Sequence, residues 1–251
     1  MKIGNDTVLI TGGATGIGFA LAEAFTQEGS EVVLCGRRRS KLQLAKTKIP
    51  GAHIRKCDVS VELERRELLR WATTNFPRLD MLVNNAGIQR QVDFTSSTIS
   101  KRTLPTDDEL AINLEAVIRL CALFVPKFMV KKRATIVNIS SGLAFVPIAE
   151  MPIYCATKAA IHSFTTSLRH QLRETSIRVI EAIPPTTDTE LDASFAGSKE
   201  EAYRGVSPQE VAAAIIDGLK AETQEIVIGQ AQGLQKEAMK DPQFIFNQLN
   251  N

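Results

Sequence analysis

The chain reads as an α/β protein, a doubly wound parallel sheet of about seven strands with helices on both faces. Short apolar, β-branched runs alternate with helical patterns from end to end. Strand–helix alternation implies right-handed crossovers, which lay helices over both sides of a parallel sheet. A glycine-rich turn closes the first run, and irregular loops follow the carboxyl ends of later ones, where such sheets bind ligands.

In order, the strand-like runs are Val8–Thr11, Glu31–Cys35, His53–Cys57, Met81–Asn84, Thr135–Ser140, Arg178–Ile183 and Ile226–Ile228. After the first comes Thr11-Gly12-Gly13-Ala14-Thr15-Gly16-Ile17-Gly18, then Ile17, Ala20, Leu21, Ala24 and Phe25 at helical spacing, with Gly29 as a stop. Leu110, Leu114, Val117, Ile118, Cys121, Val125 and Phe128 draw a longer helical stripe. Tyr154-Cys155-Ala156-Thr157-Lys158 lies on a later helix. Ser207-Pro208-Gln209-Glu210 has the form of a capping box with proline in the first turn. No repeat, low-complexity linker or composition break divides residues 1–251, so one domain is expected. Segments near 88–108 and 184–207 interrupt the rhythm and are the expected substrate loops.

Composition excludes several classes. A net charge of +2 over 251 residues gives no reason to expect nucleic acid as partner. No apolar run reaches the roughly 18 residues of a membrane span, and the start has no signal-peptide pattern. Cys35, Cys57, Cys121 and Cys155 form no Cys-x-x-Cys pair, which suits reduced thiols in a cytoplasmic protein. His53, His162 and His170 make no chelating pair, so packing or surface roles are expected and no metal.

The glycine turn between strand and helix is the pattern of a Rossmann-type dinucleotide site. Gly12 permits the tight turn, while Gly16 and Gly18 admit a pyrophosphate to the backbone and bring the helix onto the sheet. The helix start near Gly16 offers N–H groups and a positive dipole end to phosphates. At the end of the second strand an NAD-preferring protein usually carries an acidic residue for the ribose hydroxyls. This chain has Gly36-Arg37-Arg38 instead, and guanidinium groups pair with a 2′-phosphate. NADP(H) is therefore expected in preference to NAD(H).

These residues resemble the short-chain dehydrogenase/reductase family over nearly the whole chain. The family's Thr-Gly-x-x-x-Gly-x-Gly turn stands at Thr11 to Gly18, with Thr15 and Ile17 inside it. Its adenine contact is similar to Asp58 with Val59, and its Asn-Asn-Ala-Gly turn stands at Asn84 to Gly87, placing Asn85, Ala86 and Gly87 at the cofactor. Its catalytic asparagine, serine, tyrosine and lysine fall on Asn113, Ser141, Tyr154 and Lys158. The resemblance further implies cofactor contacts from Tyr154, Lys158, Pro184, Thr187 and Thr189. Ser140-Ser141-Gly142-Leu143-Ala144-Phe145-Val146-Pro147, Arg169-His170-Gln171-Leu172 and Glu225-Ile226-Val227-Ile228-Gly229-Gln230 are most similar to the DltE-like branch. One departure is Pro184-Pro185, where most members have Pro-Gly. A second proline fixes φ and removes an N–H, stiffening that wall.

Tyr154 and Lys158, four residues apart on a helix, share a face. A free tyrosine has a pKa of about 10, and a neighbouring ammonium favours the phenolate. The pattern implies hydride transfer between nicotinamide and a carbonyl or secondary alcohol, with Tyr154 as acid/base and Ser141 holding the substrate oxygen; the family resemblance implies that Asn113 helps organise a relay water near Lys158. The same residues would serve a 3-oxoacyl thioester reductase. A non-catalytic NADP-binding sensor would need the glycine turn alone. Gln89, Arg90, Phe145 and Pro185 are the expected substrate contacts, for a small molecule whose identity the sequence leaves open. The family resemblance also implies a homodimer or homotetramer.

Overall fold

The computed structural model describes residues 3–95, 106–191 and 205–250. The central stretches of both expected substrate loops, 96–105 and 192–204, lie outside the described residues.

The seven apolar runs become β1 (Thr7–Thr11), β2 (Glu31–Gly36), β3 (His53–Lys56), β4 (Leu79–Asn84), β5 (Ala134–Ile139), β6 (Ile177–Ile183) and β7 (Glu225–Val227). Between them lie helices α1 (Gly16–Gln27), α2 (Arg39–Lys48), α3 (Glu62–Asn75), α4 (Thr106–Glu109), α5 (Ala116–Phe128), α6 (Pro152–Gln171) and α7 (Pro208–Lys220). Two more, α8 (Ala231–Lys240) and α9 (Pro242–Asn250), follow the last strand. All strands pair in parallel in the order β3-β2-β1-β4-β5-β6-β7. That order reverses direction between β1 and β4, so the connections leave to opposite faces and open a crevice at the strand carboxyl ends.

Alternation along the strands sorts the core. On β1, Val8 and Ile10 face one side with Leu21 and Phe25 of α1 and Ile215 of α7. Leu9 faces the other with Leu82, Ile136, Phe124, Phe128 and Leu168. Truncating a fully buried ring such as Phe124 to alanine would cost about 3–5 kcal/mol. The expected capping box opens α7: Ser207 Oγ accepts from Glu210 N at 3.2 Å, and Ser207 N donates to Glu210 Oε2 at 3.0 Å.

The Leu110–Phe128 stripe is not one regular helix. Leu110–Glu115 forms a π-helical stretch between α4 and α5. The wider turn brings consecutive residues Ile112 and Asn113 both inward, at 4% and 1% exposure. Ile112 enters the core, and Asn113 turns toward the crevice. At the other end of the chain, the Asn250 side chain accepts from Ala149 N and donates to Pro147 O at 3.2 Å, tying α9 to the connection between β5 and α6.

Candidate active site

Two turns lock together at the crevice. Thr11 Oγ1 accepts from the backbone N–H groups of Asn85 and Ala86, each at 3.0 Å. Asn85 Nδ2 donates back to Thr11 O at 3.0 Å and to Gly12 O at 3.3 Å. The glycines are steric requirements. Gly12 has φ +66°, and a Cβ there would lie 2.9 Å from Ala86 Cα; one on Gly18 would lie 2.4 Å from Asn85 Nδ2. Gly16 opens α1 at φ +54°, beneath the side chain of Thr189. Thr15, at the N-cap, makes no side-chain bond to the first turn, so no side chain of the cap satisfies those N–H groups. An open helix start beside a glycine cradle fits a pyrophosphate.

At the end of β2 the two arginines part. Arg38 Nη2 donates to Thr15 Oγ1 at 3.3 Å, and Arg38 Nη1 pairs with Glu190 Oε2 at 2.8 Å. Lys41 holds the other oxygen of Glu190 at 2.5 Å. These cations lower the Glu190 carboxyl below its ordinary range. Arg37 is exposed, with no ion pair among the described residues. Asp58 Oδ1 accepts from Ser60 N and Ser60 Oγ at 2.9 and 2.6 Å, which fixes the loop after β3. Val59 is buried beside it, and its carbonyl takes a 2.6 Å bond from Arg65.

The four residues expected to carry chemistry come from three parts of the chain. Ser141 follows β5, and its Oγ accepts from Leu143 N at 3.1 Å. Tyr154 and Lys158 lie on α6, both 6% exposed. The Lys158 ammonium sits 5.5 Å from the centre of the Tyr154 ring and donates to Ile139 O at 2.9 Å. Burial lowers the Lys158 pKa to about 8, against an upward push from the Glu181 carboxylate. Gly87 brings the groups together: a Cβ there would lie 3.4 Å from Asn113 Oδ1 and 3.9 Å from Lys158 Nζ.

Asn113 is more committed than its spacing suggests. Its Oδ1 accepts from Ile88 N at 2.9 Å, and its Nδ2 donates to Ile88 O at 2.8 Å and Thr157 Oγ1 at 3.3 Å. The side-chain amide thus clamps the strand-end loop, as a neighbouring strand would. Among the expected substrate contacts, Arg90 pairs with Asp108 at 3.1 Å, and its N–H donates to Glu109 Oε1 at 3.1 Å. Gln89 is half-buried in the same loop. Phe145 lies edge-on to the His162 ring at 5.0 Å. Pro184 and Pro185 are buried; their carbonyls accept from Gly142 N at 3.0 Å and Thr187 Oγ1 at 2.9 Å.

Sequence reasoning missed several polar residues here. Glu109 is fully buried, with Oε2 lacking a hydrogen-bond partner, and burial pushes its carboxyl up. Thr157, Glu181, His162 and Glu190 also escaped it. His162, Glu181 and Glu225 bring ligand atoms within 4.8 Å of one another, although no pair of them is close in sequence. A carboxylate inside the apolar run of β6 was the one legible signal.

Residues 6–200 match the family model described as short chain dehydrogenase. Over 250 residues the chain is 44% identical to the Uncharacterized oxidoreductase DltE of Bacillus subtilis, covering 100% of this chain and 98% of that protein. An uncharacterized oxidoreductase of Staphylococcus aureus is 28% identical over 84% of this chain and 89% of its own length. Among solved structures, a short-chain dehydrogenase from Sphingobium yanoikuyae in complex with NADPH superposes with a TM-score of 0.79 at 25% identity, covering 94% of this chain and 96% of that one. A short chain dehydrogenase/reductase from Burkholderia phymatum in complex with NAD gives 0.84 at 20% identity, with 100% and 97% covered, and shows the shared fold.

Proposed function

The chain belongs to the short-chain dehydrogenase family, and from that premise we propose an NADP(H)-dependent oxidoreductase that interconverts a carbonyl and a secondary alcohol, with Tyr154 as acid/base. One observation carries the reading: a buried Lys158 ammonium 5.5 Å from the Tyr154 ring and close against Gly87 at the crevice. When bound, a nicotinamide supplies or accepts the hydride.

The rest falls to this chain's residues. Tyr154 donates its phenolic proton to the substrate oxygen during reduction, and the Lys158 ammonium stabilises the phenolate left behind. Ser141 offers its hydroxyl to the same oxygen. The Asn113 amide fixes the loop after β4 through Ile88, and the residue would help organise a relay water near Lys158. Gly12, Thr15, Gly16, Ile17 and Gly18 would cradle the pyrophosphate, and Asp58, Val59, Asn85, Ala86 and Gly87 the adenosine and ribose portions. Pro184, Thr187 and Thr189 would wall the nicotinamide end. The NADP preference rests on Arg37, exposed after β2, and on Arg38, which meets a carboxylate and a threonine hydroxyl there. We place the enzyme in the cytoplasm, consistent with four buried free thiols, and expect one domain assembling as a homodimer or homotetramer through the face that exposes Leu110 and Ile118. Among the described residues no helix is long and apolar enough to cross a membrane.

A panel of small carbonyl compounds with NADPH and NADH, run beside Tyr154→Phe, tests the reading. Turnover with NADPH that disappears in Tyr154→Phe, with NADPH affinity retained, is expected. Substantial turnover in that variant would overturn the mechanism.

A further inference from the structure

Beneath the catalytic groups lies a charge that the proposed chemistry does not use. Glu181 stands in the middle of β6, fully buried on the face that α6 covers. An ionised carboxylate is expensive to bury without partners. Ser140 Oγ donates to its Oε1 at 2.5 Å, and His162 Nδ1 lies 2.9 Å from its Oε2. Both partners adjoin the catalytic residues: Ser140 precedes Ser141, and His162 is one helical turn beyond Lys158. Lys158 itself bonds the carbonyl of Ile139, next to Ser140. Thr165, one further turn along α6, accepts from Asn138 Nδ2 at 2.9 Å, and Asn138 Oδ1 accepts from Asn84 at 2.8 Å. A polar seam therefore runs between the sheet and α6, with Glu181 as its fixed negative charge.

We propose that Glu181 is a positioning residue for Lys158: held by Ser140 and His162, its carboxylate keeps the buried Lys158 ammonium charged and seated on the Ile139 carbonyl. The inference rests on the role given to Lys158 above. Titratable and charged groups on the elements around Lys158 include Tyr154, Cys155, His162, Arg169 and His170 on α6, Arg178 and Glu181 on β6, and Asp108 and Glu109 on α4. Of these, Glu181 opposes the effect of burial on Lys158. It acts through space, since no ion pair joins the two side chains among the described residues. Arg169 pairs with Glu225 at 3.2 Å, so a cation already neutralises the second carboxylate of the local His–Glu–Glu cluster.

The test follows the ¹³Cε resonance of Lys158 by NMR in the full chain with ¹³C-lysine, without added cofactor, assigned with Lys158→Arg. The wild-type resonance is expected to titrate near pH 8. Glu181→Gln, which preserves shape and removes charge, lowers the midpoint by about one pH unit or more, and Glu181→Asp largely restores it. If Glu181→Gln does not fold, the volume-matched pair Glu181→Asp and Glu181→Asn makes the same comparison. Midpoints that ignore the charge at 181 would overturn the proposal. So would stoichiometric uptake of zinc ion by the wild type that His162→Ala abolishes, since Glu181 would then be a metal ligand. Activity surviving Tyr154→Phe would instead sink the proposed reaction while leaving this titration intact.

Discussion

Glu190→Gln is expected to tighten NADPH binding. In the structure Glu190 lies beside the end of β2, pairing with Arg38 at 2.8 Å and with Lys41 at 2.5 Å. A 2′-phosphate that uses Arg38 must displace this carboxylate or share the guanidinium with it. Both pairs are solvent-exposed, with side chains 38–56% accessible, so each is worth only about 0.2–1 kcal/mol. Losing the competition at both cations therefore releases about 0.4–2 kcal/mol, or roughly two- to thirty-fold in NADPH affinity. NADH carries no 2′-phosphate, so its affinity should stay within error. Fluorescence titrations of both cofactors at low and high salt would measure this, and the NADPH gain should shrink as salt screens the charges. Unchanged NADPH affinity, or an equal gain for NADH, would refute the reasoning.

Three further outcomes are expected. Arg37→Ala, or the double change with Arg38, should weaken NADPH about ten- to a hundred-fold, the loss of a charge-assisted bond of roughly 1.5–3 kcal/mol, and much more than NADH; titrations giving equal losses for both cofactors would show that these arginines do not read the 2′-phosphate. The Lys158 pKa of about 8 lies below the ordinary 10.5, so the folded state binds fewer protons than the unfolded between those values and stability rises with pH across that window. Urea denaturation should show wild type gaining up to about 3 kcal/mol from pH 8 towards 10.5 relative to Lys158→Met, and parallel pH profiles would disprove it. Asp80, pushed up to about 6 from 3.8 by burial and by Asp6, makes the folded state less stable as pH rises through that interval. Asp80→Asn keeps an acceptor for Thr7 N and should stabilise by about 1 kcal/mol at pH 7, after allowance for solvent screening, with no gain at pH 4; a thermal melt checks both.

Local order was legible in the sequence because the forces behind it are local. Alternating β-branched runs and helical stripes locate all seven strands to within a residue or two, since burial on both faces of a parallel sheet leaves continuous apolar runs. The glycine turn is equally legible: a positive φ at Gly12 and the approach of Asn85 to Gly18 tolerate no other side chain. Helical spacing also puts Tyr154 and Lys158 on one face.

What the sequence could not determine depends on which chain segments the sheet brings together. Glu181 meets His162 because β6 packs under α6, and Glu190 meets Arg38 across 152 residues of chain. Neither encounter has a periodicity to betray it. The Leu110–Phe128 stripe read as a uniform helix because apolar spacing records which residues face inward, not how wide each turn is. Only tertiary packing drew Asn113 onto the backbone of Ile88, opening the helix into π turns at Leu110–Glu115 so that two consecutive residues face inward. The same physical reason covers the ammonium itself. A lysine's place in a motif is written in the chain, but its charge depends on how far the fold removes it from water and which carboxylate it leaves nearby.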